Sequence, residues 1–499
     1  MGPEKDQKDE KTNPLVQALI DATNITLTEN LAVTYASSGS PILDFYSMGG
    51  ALRSRPEDEI RALFVRAFVE DPLLSMKLLF YIRDIRGGQG ERRTFRVIIN
   101  HIANVSPELI EKNFENVPFF GRWDDMYALL GTPIEDKMLD FLKEQIKNDA
   151  KSDHPSLLAK WLPSENTSSK DTIARAKKTR KNWGLTSREY RKLLSGLRKK
   201  LNIVERKMCA NQWGEIDYEK VPSRASMIYR SAFKRHDQEG YQDFLDAVET
   251  GEKEIKTKTL YPYDMLRAVA HSGFNRTIEL QWKNQPDWTK GAHEQSIVVC
   301  DTSGSMFGGF IYRTSIAPIY VATSLAIYFA ERNSGPFKDT FITFSAAPEI
   351  QQITGENLYE KWITLKSAHW AMNTNLQAVF DLVLSVAKKN HISEDDMIKK
   401  IYIISDMEFD ACVRDAGEKN FNMIKKKYAA SNYEMPEVVF WNVESRQNQA
   451  PIKSDEKGVA LVSGASPSIF ETLMTGKITT PIEIMMRTLN KERYDRVII

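Results

Sequence analysis

Ser296-Ile-Val-Val-Cys300, followed at once by Asp301-Thr-Ser-Gly-Ser305, decides the fold of the second half of this chain. The first five residues are a short, largely β-branched run with no polar alternation. Such a run reads as a strand buried on both faces, the kind found in parallel sheets. Working outward, the same unit recurs. A helix is expected over about 315–332, closed by Gly335 and Pro336, then a strand at Thr340-Phe-Ile-Thr-Phe344. A helix over 375–388 precedes a third strand, Lys400-Ile-Tyr-Ile-Ile404, bounded by Asp406. A helix over 414–428 leads to strands at Glu437-Val-Val-Phe-Trp441 and Gly458-Val-Ala-Leu-Val462. Strands alternating with helices predict a Rossmann-like, mainly parallel α/β domain over 290–499. Ligands of such sheets sit at the carboxyl ends of strands, where Asp301 falls.

As a pentapeptide, Asp-Thr-Ser-Gly-Ser could be a mere turn, since these residues dominate turns. The strand before it argues for more. Asp-x-Ser-x-Ser after an apolar strand resembles the signature of von Willebrand factor A-type domains, whose metal-ion-dependent adhesion site (MIDAS) it forms. The resemblance implies a divalent cation, magnesium or another, held by Asp301, Ser303 and Ser305. It further implies a threonine and a second aspartate. Thr374, in Asn373-Thr374-Asn375 just before a helix, and Asp406, in Ile-Ile-Ser-Asp, match those positions. Magnesium takes hard oxygen ligands and keeps some of its waters. Two carboxylates and three hydroxyls supply oxygen only and leave the ion electrophilic toward an acidic side chain or a phosphate of a partner. With no general base or activated nucleophile beside it, the site reads as binding, not hydrolytic, and the protein as no enzyme. A correct fold with no functional metal is the alternative. His369, near Thr374, reads as a loop residue.

Residues 14–289 carry helical periodicity instead. Pro56 opens the clearest helix, and Glu57, Asp58 and Glu59 suit the positive end of its dipole. Ile60, Leu63, Phe64, Ala67 and Phe68 form one apolar stripe. Asp71-Pro72 ends that helix and opens a second, running through Leu74, Phe80, Tyr81 and Ile85 to Gly87, Gly88 and Gly90. A third starts near Glu91. Further helices are expected near 136–148, 187–208, 222–236, 240–249 and 262–271, and serial helix pairs predict an all-α, HEAT-like array. No strict sequence repeat accompanies them.

The chain has 499 residues, enough for several domains. Lys plus Arg (68) nearly balances Asp plus Glu (67), so only local charge can speak for nucleic acid. Cys209, Cys300 and Cys412 are far apart and fit a reducing, cytoplasmic setting rather than disulfides or zinc. No apolar run reaches the ~18 residues that span a bilayer, so no membrane partner is expected. Residues 1–13 are polar and read as a disordered tail.

Two local stretches of the helical half carry a second resemblance. Phe80-Tyr-Ile-Arg83-Asp84-Ile-Arg86-Gly87-Gly88-Gln-Gly90-Glu91-Arg92 and Phe119-Phe-Gly121-Arg122-Trp123-Asp124-Asp125 resemble segments of the TROVE-related family of Ro autoantigen-like proteins. The nearest likeness is to that family's uncharacterised, domain-of-unknown-function relatives. The resemblance implies a ribonucleoprotein scaffold for structured or single-stranded RNA. Local charge agrees with it. Lys170, Arg175, Lys177, Lys178, Arg180, Lys181, Arg188, Arg191, Lys192, Arg198, Lys199, Lys200, Arg206 and Lys207 face only Asp171, Glu189 and Glu205 between 170 and 207. That is an electrostatic footprint for phosphate. Lys177, Lys178, Arg180, Lys181, Arg191, Lys192, Arg198, Lys199 and Lys200 are the candidate RNA contacts. Trp183 and Tyr190 either stack on bases or pack inward. Arg83, Arg86, Arg92 and Arg93 either touch RNA or form an internal network with Asp84 and Glu91. Around Trp123, packing is expected ahead of ligand contact. The competing function is a metal-dependent protein–protein adaptor, for example to an ATPase machine, with no RNA role.

Overall fold

The computed structural model describes residues 23–289, 295–307, 317–345, 347–368, 374–410 and 420–499. The 1–13 tail, His369, Asn373 and Cys412, and the expected helical residues 315–316 and 414–419, lie outside the described residues.

After helical Thr23 the described chain forms a hairpin: β1 (Ile25–Leu27) runs antiparallel to β2 (Val33–Tyr35). This hairpin interrupts the helical periodicity expected from residue 14, of which residues 14–22 lie outside the described residues. Each strand is three residues long, too short to register a period of two. Helices then dominate up to Lys283. Pro56 is the N-cap of helix Glu57–Glu70, which buries Ile60, Leu63, Phe64 and Ala67. Asp71 then caps helix Pro72–Arg83, accepting the Leu74 N–H at 2.9 Å. That helix ends at Arg83, so Ile85 lies beyond it. The expected helix 187–208 is two, Ser187–Lys200 and Val204–Cys209, and a helix at Lys170–Asn182 precedes them.

In the second half, β3 (Ser296–Asp301), β4 (Thr340–Phe344), β5 (Ile350–Gln352), β6 (Lys400–Ser405), β7 (Glu437–Asn442) and β8 (Val459–Ser463) form one sheet. Its order is β5-β4-β3-β6-β7-β8. All pairings are parallel except β4 with β5. In numbers local to the sheet this is 3-2-1-4-5-6, the doubly wound order. The edge strand β5 was not expected from the sequence. Every residue of β3 and β6 is buried, as strands without polar alternation require. Helix Pro318–Arg332 packs along β3 and against helix Pro262–Ser272, and helices Leu376–Lys389 and Asn420–Ala430 pack on each other. The chain is thus a helical region followed by a mostly parallel six-stranded α/β region.

Each region sends one chain end into the other. Helix Pro41–Gly49 is buried along nearly its whole length and packs on β8 and on helix Pro481–Leu489. A Cβ at Gly50 would sit 2.8 Å from the Gly464 Cα, so the two backbones touch there. In return the C-terminal segment lies on the helices. Tyr494 stacks on Phe120 with ring centroids 5.5 Å apart, Arg493 pairs with Asp84, and Asn116 holds the Arg496 carbonyl at 3.0 Å. One hydrophobic core runs through both regions, and a smaller cluster around Tyr218, Phe233, Tyr241 and Phe244 fills the helices after residue 204.

Candidate metal centre

The order of the sheet places the site. From β3 the chain builds two strands to one side and then crosses back to build three on the other. The crevice opens where neighbouring strands part, at the carboxyl ends of β3 and β6. Cys300 is in register with Ile404, so Asp301 and Asp406 leave adjacent strands side by side.

Asp301 is fully buried. Its Oδ1 accepts the Ser303 N–H at 2.9 Å, and its Oδ2 accepts the Ser405 hydroxyl at 2.5 Å. The Ser303 and Ser305 hydroxyls lie 2.9 Å apart. A single turn of 3-10 helix, Gly304–Phe307, carries Ser305 toward the rim. Asp406 is 1% exposed. Its Oδ1 accepts the Glu408 N–H at 3.2 Å, while its buried Oδ2 has no hydrogen-bond partner among the described residues. The Arg446 Nε lies 3.6 Å from that oxygen.

These carboxylates are costly to charge. Burial, then repulsion from Asp406, pushes Asp301 up to about 7. Burial also raises Asp406, with Arg446 and the Ser305 hydroxyl pulling it back down. Burial raises Glu408 to about 7 as well. An orphaned oxygen facing a second buried carboxylate is the arrangement a divalent cation completes. Among the described residues, no three His, Cys, Asp or Glu side chains converge as a metal cluster. A set of two carboxylates and hydroxyls is of another kind, suited to a hard ion that keeps its waters.

Thr374 lies one residue before Asn375, which caps helix Leu376–Lys389 through the Ala378 N–H at 2.9 Å. It is bound to the loop that follows β6. Its hydroxyl donates to the Glu408 carbonyl at 2.7 Å, and its N–H donates to Asp410 at 2.7 Å. The structure therefore brings Asp301, Ser303, Ser305 and Asp406 together, and ties Thr374 to the Asp406 loop through its backbone neighbours.

Four participants have no counterpart in the sequence reading. Glu408 and Asp410 alternate with Asp406, a spacing visible in the sequence. Arg446, just past β7, donates to the Ser305 carbonyl and pairs with Glu29 at 2.9 Å. Asn30, from the hairpin, donates to the Glu408 carbonyl at 2.7 Å and to the Thr374 hydroxyl at 3.4 Å. Arg446 and Asn30 come from opposite ends of the chain and carry no local signal.

The basic stretch divides. Trp183 is 4% exposed and donates its Nε1–H to the Leu139 carbonyl at 2.9 Å. Tyr190 is fully buried and donates to the Pro163 carbonyl at 2.9 Å. Neither ring can stack on a base, because both fill the core between helices. Arg180 and Arg198 are withdrawn as surface cations too. Arg180 binds Glu165 at 2.9 Å, and Arg198 spans the Ala159 and Leu162 carbonyls and the Ser164 hydroxyl. Lys178 pairs with Glu135. Lys177, Lys181, Arg191, Lys192, Lys199 and Lys200 stay exposed.

Of the arginines near residue 90, Arg83 is structural, and the expected partners Asp84 and Glu91 accept the Arg86 and Arg93 backbone N–H groups at 3.0 and 2.8 Å. Arg83 is buried against Asp125 at 2.7 Å, and Arg96 reaches the same carboxylate at 2.7 Å. Asp84 serves Arg493, not Arg83. Trp123 stacks with Phe141, and Arg122 lies 4.2 Å over the Trp161 ring, so this stretch packs.

Two family models match the chain. One, described as Domain of unknown function (DUF7788), covers residues 295–496 and so begins with β3. The other, described as Domain of unknown function (DUF2828), covers residues 28–156 and 140–301. A relative described as Uncharacterized protein L728, from Acanthamoeba polyphaga mimivirus, is 29% identical over 511 residues, spanning 93% of this chain and 87% of that one.

Proposed function

Given that the chain belongs to the DUF2828 family, we propose that it is a non-enzymatic binding scaffold. In this reading its α/β domain is of the von Willebrand factor A type and holds a divalent cation, magnesium or a similar ion, between Asp301, Ser303, Ser305 and Asp406. Thr374, whose hydroxyl donates to the Glu408 carbonyl, fastens the loop that carries Asp406. The observation that carries the reading is the buried Asp406 Oδ2, without a hydrogen bond among the described residues, beside the buried Asp301 at the crossover of a 3-2-1-4-5-6 sheet. The cation presents an open coordination position to an acidic side chain of a protein partner. Magnesium should raise the melting temperature of the wild-type chain and leave Asp406→Ala unmoved. Equal shifts in both proteins would remove the ion from this site.

A second reading is favoured by a separate observation. Lys177 and Lys181 on one helix, and Arg191, Lys192 and Lys199 on the next, are exposed and make no ion pair among the described residues. Two consecutive helices with uncompensated cations fit an RNA backbone, in line with the TROVE-like resemblance. This face reads phosphate and not bases, since its aromatic residues are buried. Lys192→Glu with Lys199→Glu should weaken RNA binding and flatten its salt slope by about 2. Unchanged affinity would leave the adaptor reading alone. Among the described residues no helix is long and apolar enough to cross a membrane.

A further inference from the structure

A cavity of about 470 Å³ opens on the helical region, far in sequence from the cation site. Arg61 enters it from helix Glu57–Glu70, Arg92, Arg93 and Arg96 from the start of helix Arg93–Val105, and Arg175 from helix Lys170–Asn182. Five guanidinium groups share one volume, and Glu57 is the single carboxylate lining it.

Their charges are not equally spent. Arg61 pairs with Glu57, Arg175 with Asp171 at 2.7 Å, and Arg96 with Asp124 and Asp125. Arg93 donates to the Arg53 and Arg55 carbonyls, which use its N–H groups but leave its charge uncancelled. Arg92 is exposed and has no carboxylate partner among the described residues. Helix Arg93–Val105 has no acidic residue in its first turn, and the Glu91 carboxylate just before it accepts the Arg93 N–H at 2.8 Å.

We propose that this cavity binds a phosphoryl group. Two uncancelled cations match a dianionic phosphate monoester better than a singly charged carboxylate. Guanidinium groups arriving from separate helices can each fork onto a different pair of its oxygens. The volume falls in the range of roughly 300–1,000 Å³ common for ligand pockets, so a nucleotide-sized anion fits. Arg175 joins the cavity to helix Lys170–Asn182, whose outer face carries Lys177 and Lys181, so a phosphate here can terminate a longer strand laid along that face. The site stands without the cation centre.

The test uses the full chain. Inorganic phosphate, set against chloride at matched ionic strength, should raise the melting temperature of the wild type and of Asp406→Ala. It should not raise that of Arg92→Glu or Arg175→Glu. Both arginines are at the surface, so the unliganded variants should melt near the wild type, and Arg92→Lys should restore part of the response. Single-stranded RNA with a 5′-phosphate, compared with its 5′-hydroxyl counterpart, separates the sources. Preference for the phosphorylated end by about tenfold places the ligand on nucleic acid. A phosphate response without that preference places it on a small molecule. A response that persists in both glutamate variants would overturn the proposal. So would the absence of any response to phosphate or to the RNA end.

Discussion

Replacing Asp301 with Asn should make the cation-free protein more stable at neutral pH while abolishing its response to magnesium. Asp301 is fully buried beside Asp406 and is pushed up to about 7. An aspartate in the unfolded chain titrates near 3.9, and the difference from about 7 is worth about 4 kcal/mol. The sign follows from which form is favoured. The folded state holds this proton more tightly, so its contribution is fully present below about pH 4 and is lost as pH rises through about 7. The loss is at most about 4 kcal/mol in the cation-free chain. Asparagine carries no charge to desolvate, and its carbonyl can still accept the Ser303 N–H. The contact with the Ser405 hydroxyl must rearrange, at about 1 kcal/mol. A net gain of about 1–3 kcal/mol at neutral pH remains. Magnesium at about 100 times its Kd should add roughly 2.7 kcal/mol to the wild type and nothing to the variant. Urea denaturation across pH, in chelator and in magnesium, reads all of these values. A variant less stable than wild type in chelator at neutral pH, or one with the full magnesium gain, would refute the reasoning.

The frame of the helical region offers two further tests. Gly90 has φ of +68°, and a Cβ there would overlap the buried Tyr261 hydroxyl. Gly90→Ala should therefore cost roughly 2–5 kcal/mol in a denaturant titration, from backbone strain plus overpacking; a change near zero would mean the ring moves freely. Asp125→Ala strips the buried Arg83 of its carboxylate and should cost about 3–5 kcal/mol. Asp125→Ala combined with Arg83→Met should recover much of that loss, and a double variant no better than the single one would count against the pairing.

The strands around the site were legible because each is a buried run of β-branched and aromatic residues, and such runs leave few other readings. Asp301, Ser303 and Ser305 were legible because one loop holds all three, and Asp406 because it ends such a run. β5 was not, since Ile350, Gln351 and Gln352 are at most half-buried at the sheet edge and show no pattern. Arg446 and Asn30 reach the site through the fold alone. The basic stretch shows the limit from the other side. In the sequence Arg198 and Lys199 look alike, but Arg198 satisfies two carbonyls and a hydroxyl while Lys199 points to solvent. Charge is written in the sequence; whether it is spent internally depends on which carbonyls the packing leaves open. Trp183 and Tyr190 follow the same rule, as each has an apolar body and a polar tip that found a buried carbonyl.

The most direct test of the cation centre is anomalous diffraction from crystals of the full chain grown with manganese. The account predicts a peak at the carboxyl ends of β3 and β6, ligated directly or through one bound water by Asp301, Ser303, Ser305 and Asp406. Density for manganese elsewhere on the molecule, with none between those two aspartates, would contradict it.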